Sequence, residues 1–188
     1  PTTSFRQQVD DLNAIVGEYP TVVFGHSYGG VVALASATKG NPALRAVATF
    51  EAPRAWEDWW PAPPSSDIDP ADAAEHFLRR VIGDDRWEGL PEMIRRRRRA
   101  EGTLMVEELH AQSARRYNAE MIDIPLVIGV GERSGDHAQR AALNTAEEAK
   151  MSRLVSIADA GHSAPTTHPQ QVADLIHLAI TDAQITDP

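Results

Sequence analysis

A serine hydroxyl is a poor nucleophile at neutral pH and reacts only beside an oriented base, most often histidine. This chain carries both. Ser27 lies in Gly25-His26-Ser27-Tyr28-Gly29-Gly30, a G-x-S-x-G pattern. The pattern follows the apolar run Thr21-Val22-Val23-Phe24 and leads into Val31-Val32-Ala33-Leu34-Ala35. Strand, tight turn and helix in that order make a nucleophile elbow, where a strained backbone holds the serine hydroxyl clear of the sheet. Glycines are needed on both sides because a side chain there would collide with the neighbouring strand and helix. The Tyr28 N–H, at the N-terminus of the following helix, points where an oxyanion would form. His162, in a Gly-His-Ser loop after the last strand pattern, is the candidate base, in the order serine before histidine.

The elements that must position these residues read as alternating strands and helices. Phe5, Val9, Leu12, Ile15 and Val16 recur at helical spacing and end at Tyr19-Pro20. The elbow helix runs from about Tyr28 to Lys39, and Leu44 to Phe50 is a second buried strand ending at Glu51-Ala52-Pro53. From Arg54 to about Met121 the composition changes. Trp56, Trp59, Trp60 and Trp87 gather there, and no strand pattern appears. A helix begins at Asp69-Pro70 and ends at Gly83, a second follows Pro91, and a third spans about Thr103 to Tyr117. Strand character returns at Pro125 to Val130, followed by a polar helix from about Asp136 to Met151. The strand Leu154 to Ile157, the turn at Asp159-Ala160-Gly161-His162 and a closing helix from Pro169 complete the chain. The alternation predicts an α/β fold with a parallel sheet covered on both faces.

Bulk properties narrow the function classes. A length of 188 residues allows one sizeable core, and a formal charge of −9 argues against nucleic acid, whose phosphates call for a basic surface. With no cysteine there are neither disulfides nor thiolate metal sites. There is no signal-peptide pattern and no apolar run long enough for a bilayer, so the expectation is a cytoplasmic protein with no membrane partner. Nothing in the composition sets an oligomeric state. The remaining histidines show no metal-ligand spacing, and no cofactor is implied. The run Arg95 to Arg99 lies in a helical pattern and reads as a solvated face rather than an anion-recognition patch.

Taken together, the chain resembles the C-terminal two-thirds of an α/β-hydrolase-fold enzyme, over nearly all its residues. Gly25 to Gly30 resembles that family's nucleophile motif, and Asp159-Ala160-Gly161-His162-Ser163 with His168-Pro169 resembles its histidine loop. The resemblance implies an incomplete hydrolase core over 1–53 and 122–188 and a helical cap over 54–121. It also implies an acid partner for His162. Most members carry an aspartate three residues beyond a glycine after the strand that follows the cap, but here that segment reads Gly131-Glu132-Arg133-Ser134. Asp136 is the nearest substitute. Glu51 is the preferred acid, because Thr49-Phe50-Glu51-Ala52 resembles a branch of the fold, including some haloalkane dehalogenases, with a catalytic glutamate at that strand end. Those dehalogenases use an aspartate nucleophile, so Ser27 does not imply dehalogenation.

The expected activity is a serine hydrolase cleaving a small or medium carboxylic ester or related acyl substrate through Ser27, His162 and Glu51. His26, Trp56, Trp59 and Trp60 are candidates for lining the substrate pocket. The resemblance further implies strands before the first helix, one of which supplies a second oxyanion donor. Without them the hydrolase fold would lack its N-terminal strands, and a chain of these residues alone would be weak or inactive. The alternative reading is a non-catalytic hydrolase-like binding module or an inactive fragment.

Overall fold

Four short strands rich in Val, Ala and Ile pair in parallel and in chain order, giving the sheet β1-β2-β3-β4. In this computed structural model, residues 4–65 and 67–184 are described. The strands are β1 (Thr21–His26), β2 (Leu44–Phe50), β3 (Leu126–Gly131) and β4 (Ser152–Ile157). Packing divides the chain into two compact units, one made of Ala55–Arg115 and the other of the segments that flank it.

The sheet unit is built by alternation. Ala46, Ala48 and Phe50 turn to one face of β2, where α9 (Pro169–Asp182) lays Val172, Leu175 and Ala179 against them. Gly129 faces Leu175 and Phe50, and a Cβ there would stand 2.3 Å from the Leu175 side chain, so the strand takes no side chain at that point. The alternate residues turn to the opposite face. The strands also carry α2 (Tyr28–Thr38) and α7 (Asp136–Glu148). Seven of the eleven residues of α2 are buried, which explains why it is small and apolar on all sides. Outside it lies α1 (Phe5–Val16), started by the Ser4 side chain accepting the Gln7 N–H at 3.2 Å and joined to α2 by Ser36 Oγ donating to Asn13 Oδ1 at 3.1 Å. The α1 face is narrower than the sequence spacing suggests: Val9 and Val16 are buried, whereas Ile15 is exposed.

The second unit holds helices joined by irregular segments and, among its described residues, no strand. α3 (Pro70–Ile82) starts where Asp69 Oδ1 accepts the Ala71 N–H at 2.9 Å and stops at Gly83, whose φ is 88°. A short α4 (Asp84–Gly89), absent from the sequence reading, buries Trp87, whose indole N–H donates to Glu75 at 3.2 Å. α5 (Glu92–Ala100) carries the arginine run. Arg95 pairs with Glu88, Arg96 with Glu92, Arg97 and Arg98 with Glu101, and Arg99 with Asp72 and Glu75, so the run is matched by carboxylates. α6 (Gly102–Ala111) begins against α3, where a Cβ on Gly102 would lie 2.1 Å from the Pro70 carbonyl.

α6 ends at Ala111, six residues before the expected Tyr117. Tyr117 instead belongs to the sheet unit, buried with its hydroxyl 2.8 Å from Thr145 of α7. Burial pushes its phenol pKa up to about 12. Beside it, buried Arg54 donates two hydrogen bonds to Glu148 of α7, at 2.9 and 2.6 Å, tying the chain just after β2 to that helix. A four-residue helix, α8 (Ala164–Thr167), precedes α9. Among the described residues no helix is long and apolar enough to cross a membrane.

Candidate active site

All four parallel strands end at the same edge of the sheet, and each contributes to one cluster. This is the edge where open α/β sheets bind ligands. β1 delivers His26 and then Ser27, at φ 53° and ψ −125°, before α2 begins at Tyr28. A positive φ on a non-glycine residue is strained, and several bonds hold it. The Ser27 N–H donates to the Phe50 carbonyl at 2.9 Å, and the Ser27 carbonyl accepts the Gly30 N–H at 2.9 Å. The expected need for glycine on both sides of Ser27 holds at Gly25 but not at Gly29, where a Cβ would meet nothing within 4 Å; the second crowded position is Gly30. A Cβ on Gly25 would lie 2.5 Å from the Gly29 carbonyl oxygen, and one on Gly30 would lie 2.7 Å from the Ala52 Cβ. Tyr28 stands in the first turn of α2, where backbone N–H groups point out of the helix N-terminus.

Glu51 follows β2 directly, with φ at 51°, and its side chain is 2% exposed. Its N–H donates to the Gly129 carbonyl at 3.0 Å, which holds the turn against β3. The two carboxylate oxygens have separate partners. Oε1 accepts the Gly131 N–H at 3.0 Å and the Ser134 hydroxyl, while Oε2 lies 2.7 Å from Nδ1 of His162. Burial alone would raise the Glu51 pKa, but the bonds from His162, Ser134 and Gly131 outweigh it and hold the carboxyl below its ordinary value.

His162 arrives on the loop after β4, where Asp159 takes a φ of 58°. The Ala160 carbonyl of this loop accepts the Arg133 N–H at 2.8 Å. A Cβ on Gly131 would come within 2.3 Å of that carbonyl, so the glycine lets the histidine loop close on the end of β3. From the other side, His26 Nε2 donates to the His162 carbonyl at 2.9 Å, and the two imidazoles lie 4.6 Å apart. Burial, followed by the neighbouring His162, lowers the His26 pKa. With Glu51 ionised, Nδ1 of His162 carries the proton toward it, which leaves Nε2 as the basic nitrogen.

The structure therefore brings His162 into direct contact with both Glu51 and His26, and Ser27 follows His26 at the end of β1. Asp136 stands elsewhere, exposed in the first turn of α7, while Nδ1 of His162 is bonded to Glu51. Trp56, Trp59 and Trp60 lie half-buried in the helical unit, with the Trp59 and Trp60 rings 6.1 Å apart. Sequence reasoning missed Gly131 and Ser134 as partners of Glu51. The signal was the substitution itself: a hydroxyl stands where the family pattern carries a carboxylate. Among the described residues, no group of three or more His, Cys, Asp or Glu side chains could hold a metal ion.

Comparisons with known proteins give the family and the fold. Residues 1–175 match the model of the alpha/beta hydrolase family. No curated protein matches. Among solved structures, a lipase-esterase related protein from Clostridium acetobutylicum is 18% identical, with a TM-score of 0.68 over 95% of this chain and 76% of its own. The enol-lactonase from Burkholderia xenovorans is 16% identical, with a TM-score of 0.68 over 95% and 73%. An alpha/beta hydrolase from a Medee basin deep-sea metagenome library is 16% identical, with a TM-score of 0.73 over 100% and 74%. This chain thus spans about three quarters of the length of each.

Proposed function

The chain belongs to the alpha/beta hydrolase family, and from that premise we propose that it is a serine hydrolase acting on a carboxylic ester or related acyl compound. The observation that carries the reading is the bond between His162 Nδ1 and Glu51 Oε2, at 2.7 Å, together with a strained serine that directly follows His26 at the end of β1. Ser27 Oγ attacks the acyl carbonyl, and Nε2 of His162 takes its proton and returns it to the leaving group. Glu51 stabilises the imidazolium that forms and keeps the ring in the required tautomer. The Tyr28 N–H donates to the tetrahedral oxyanion. Water, activated in turn by His162, then releases the acid from the acyl-enzyme.

A fluorophosphonate probe together with a panel of p-nitrophenyl esters of increasing chain length tests this reading. Labelling should map to Ser27, and Ser27→Ala should abolish it and lower kcat by about 10⁴-fold or more. A folded full-length protein that neither labels nor hydrolyses any ester would favour the binding module instead.

A further inference from the structure

We propose that Ser134 is a positioning residue for the acid of this site: its hydroxyl and the Gly131 N–H together occupy Oε1 of Glu51, so that only Oε2 can face His162. The proposal rests on the triad reading above and extends it to a residue that acts through Glu51.

The argument starts from the geometry of a carboxylate. A glutamate at a strand end has three side-chain torsions, and either oxygen can meet an imidazole. Here Oε1 is bound by two donors from the same segment, the Gly131 N–H at 3.0 Å and the Ser134 hydroxyl. Both donors come from the end of β3, whereas Glu51 comes from the end of β2. The bond therefore spans two strand ends and fixes the torsions of a side chain that is 2% exposed. Ser134 is itself held, its N–H donating to the Gly131 carbonyl at 3.1 Å. An acid so close to Oε1 would repel the buried Glu51 carboxylate, and an apolar side chain would leave Oε1 with one donor fewer. A hydroxyl is the small group that donates without adding charge.

Three variants of the whole protein separate the possibilities: Ser134→Ala, Ser134→Thr and Glu51→Gln. They are read by ester turnover, melting temperature and the low-field proton resonance of His162 Nδ1–H. Ser134→Ala should lower kcat about tenfold with KM unchanged, as expected for losing one hydrogen bond to a charged acceptor. It should also move the Nδ1–H resonance. Ser134→Thr, which keeps the hydroxyl, should return both toward wild type. Wild-type kcat and an unmoved resonance in Ser134→Ala overturn the proposal, as does a Ser134→Thr protein as impaired as Ser134→Ala. Full turnover in Glu51→Gln marks failure of the triad reading instead. In that case the resonance alone decides whether Ser134 orients the Glu51–His162 pair.

Discussion

Glu51 shows how a single residue can be suggested by sequence and yet acquire its meaning only in space. Its place after β2 made it a candidate, and Asp136 was its rival. The structure bonds Glu51 to Nδ1 of His162 and leaves Asp136 exposed on α7. The two variants should therefore differ sharply in kcat. Glu51→Gln keeps the shape but loses the charge that favours the working tautomer, and kcat should drop by about 10⁴-fold. Asp136→Asn should stay within about twofold of wild type, since exposed carboxylates away from the chemistry contribute little. Equal losses in the two would sink the assignment.

At the level of elements, the site depends on how closely strand ends and loops approach. Gly131 is the clearest case, because it donates to Glu51 and also lets the Ala160 carbonyl pass where a side chain would sit. Gly131→Ala should cost about 2 kcal/mol of stability through overpacking against backbone. It should also lower turnover, since the histidine loop must move away. Gly161 lies in the same loop beside His162, and nothing stands within 4 Å of its Cβ position. Gly161→Ala should thus change stability by less than about 0.5 kcal/mol. Urea denaturation of the pair makes the comparison, and similar losses would show that the close approach at Gly131 is not the cause. The helical unit follows the same logic at Gly102, where α6 meets α3 backbone to backbone.

For the molecule as a whole, buried titratable groups make stability fall on the acid side. His26 has its pKa lowered from 6.5, by burial first and then by the neighbouring His162, so the folded state takes up its proton less readily than the unfolded chain. Its contribution is complete above pH 6.5 and is lost as pH falls below that value. Glu51, also lowered, contributes above its ordinary 4.5 and loses that contribution as pH falls through its depressed value. Urea midpoints followed from about pH 8 down to about pH 2 should decline in two stages, one below 6.5 and one below 4.5. His26→Gln, which keeps a donor for the His162 carbonyl but does not titrate, should remove the upper stage. An unchanged profile in that variant would assign the upper stage to another group.

Much of this protein is set by local sequence. Gly25 and Ser27 of the elbow, the strand and helix periods and the helix start at Asp69 all act within a few residues, so chain order alone exposes them. The end of α6 and the short α4 were hidden, because burial of Tyr117 and Trp87 decided them through partners far along the chain. The resemblance already favoured Glu51 over Asp136 as partner of His162, but the contact itself lies beyond local sequence. Glu51 and His162 are separated by 111 positions, and Ser134 reaches Glu51 across 83. Sequence determined which chemistry the chain could attempt. Only the pairing of four parallel strands, which brings their ends to one edge, decided which carboxylate meets His162 and what holds it there.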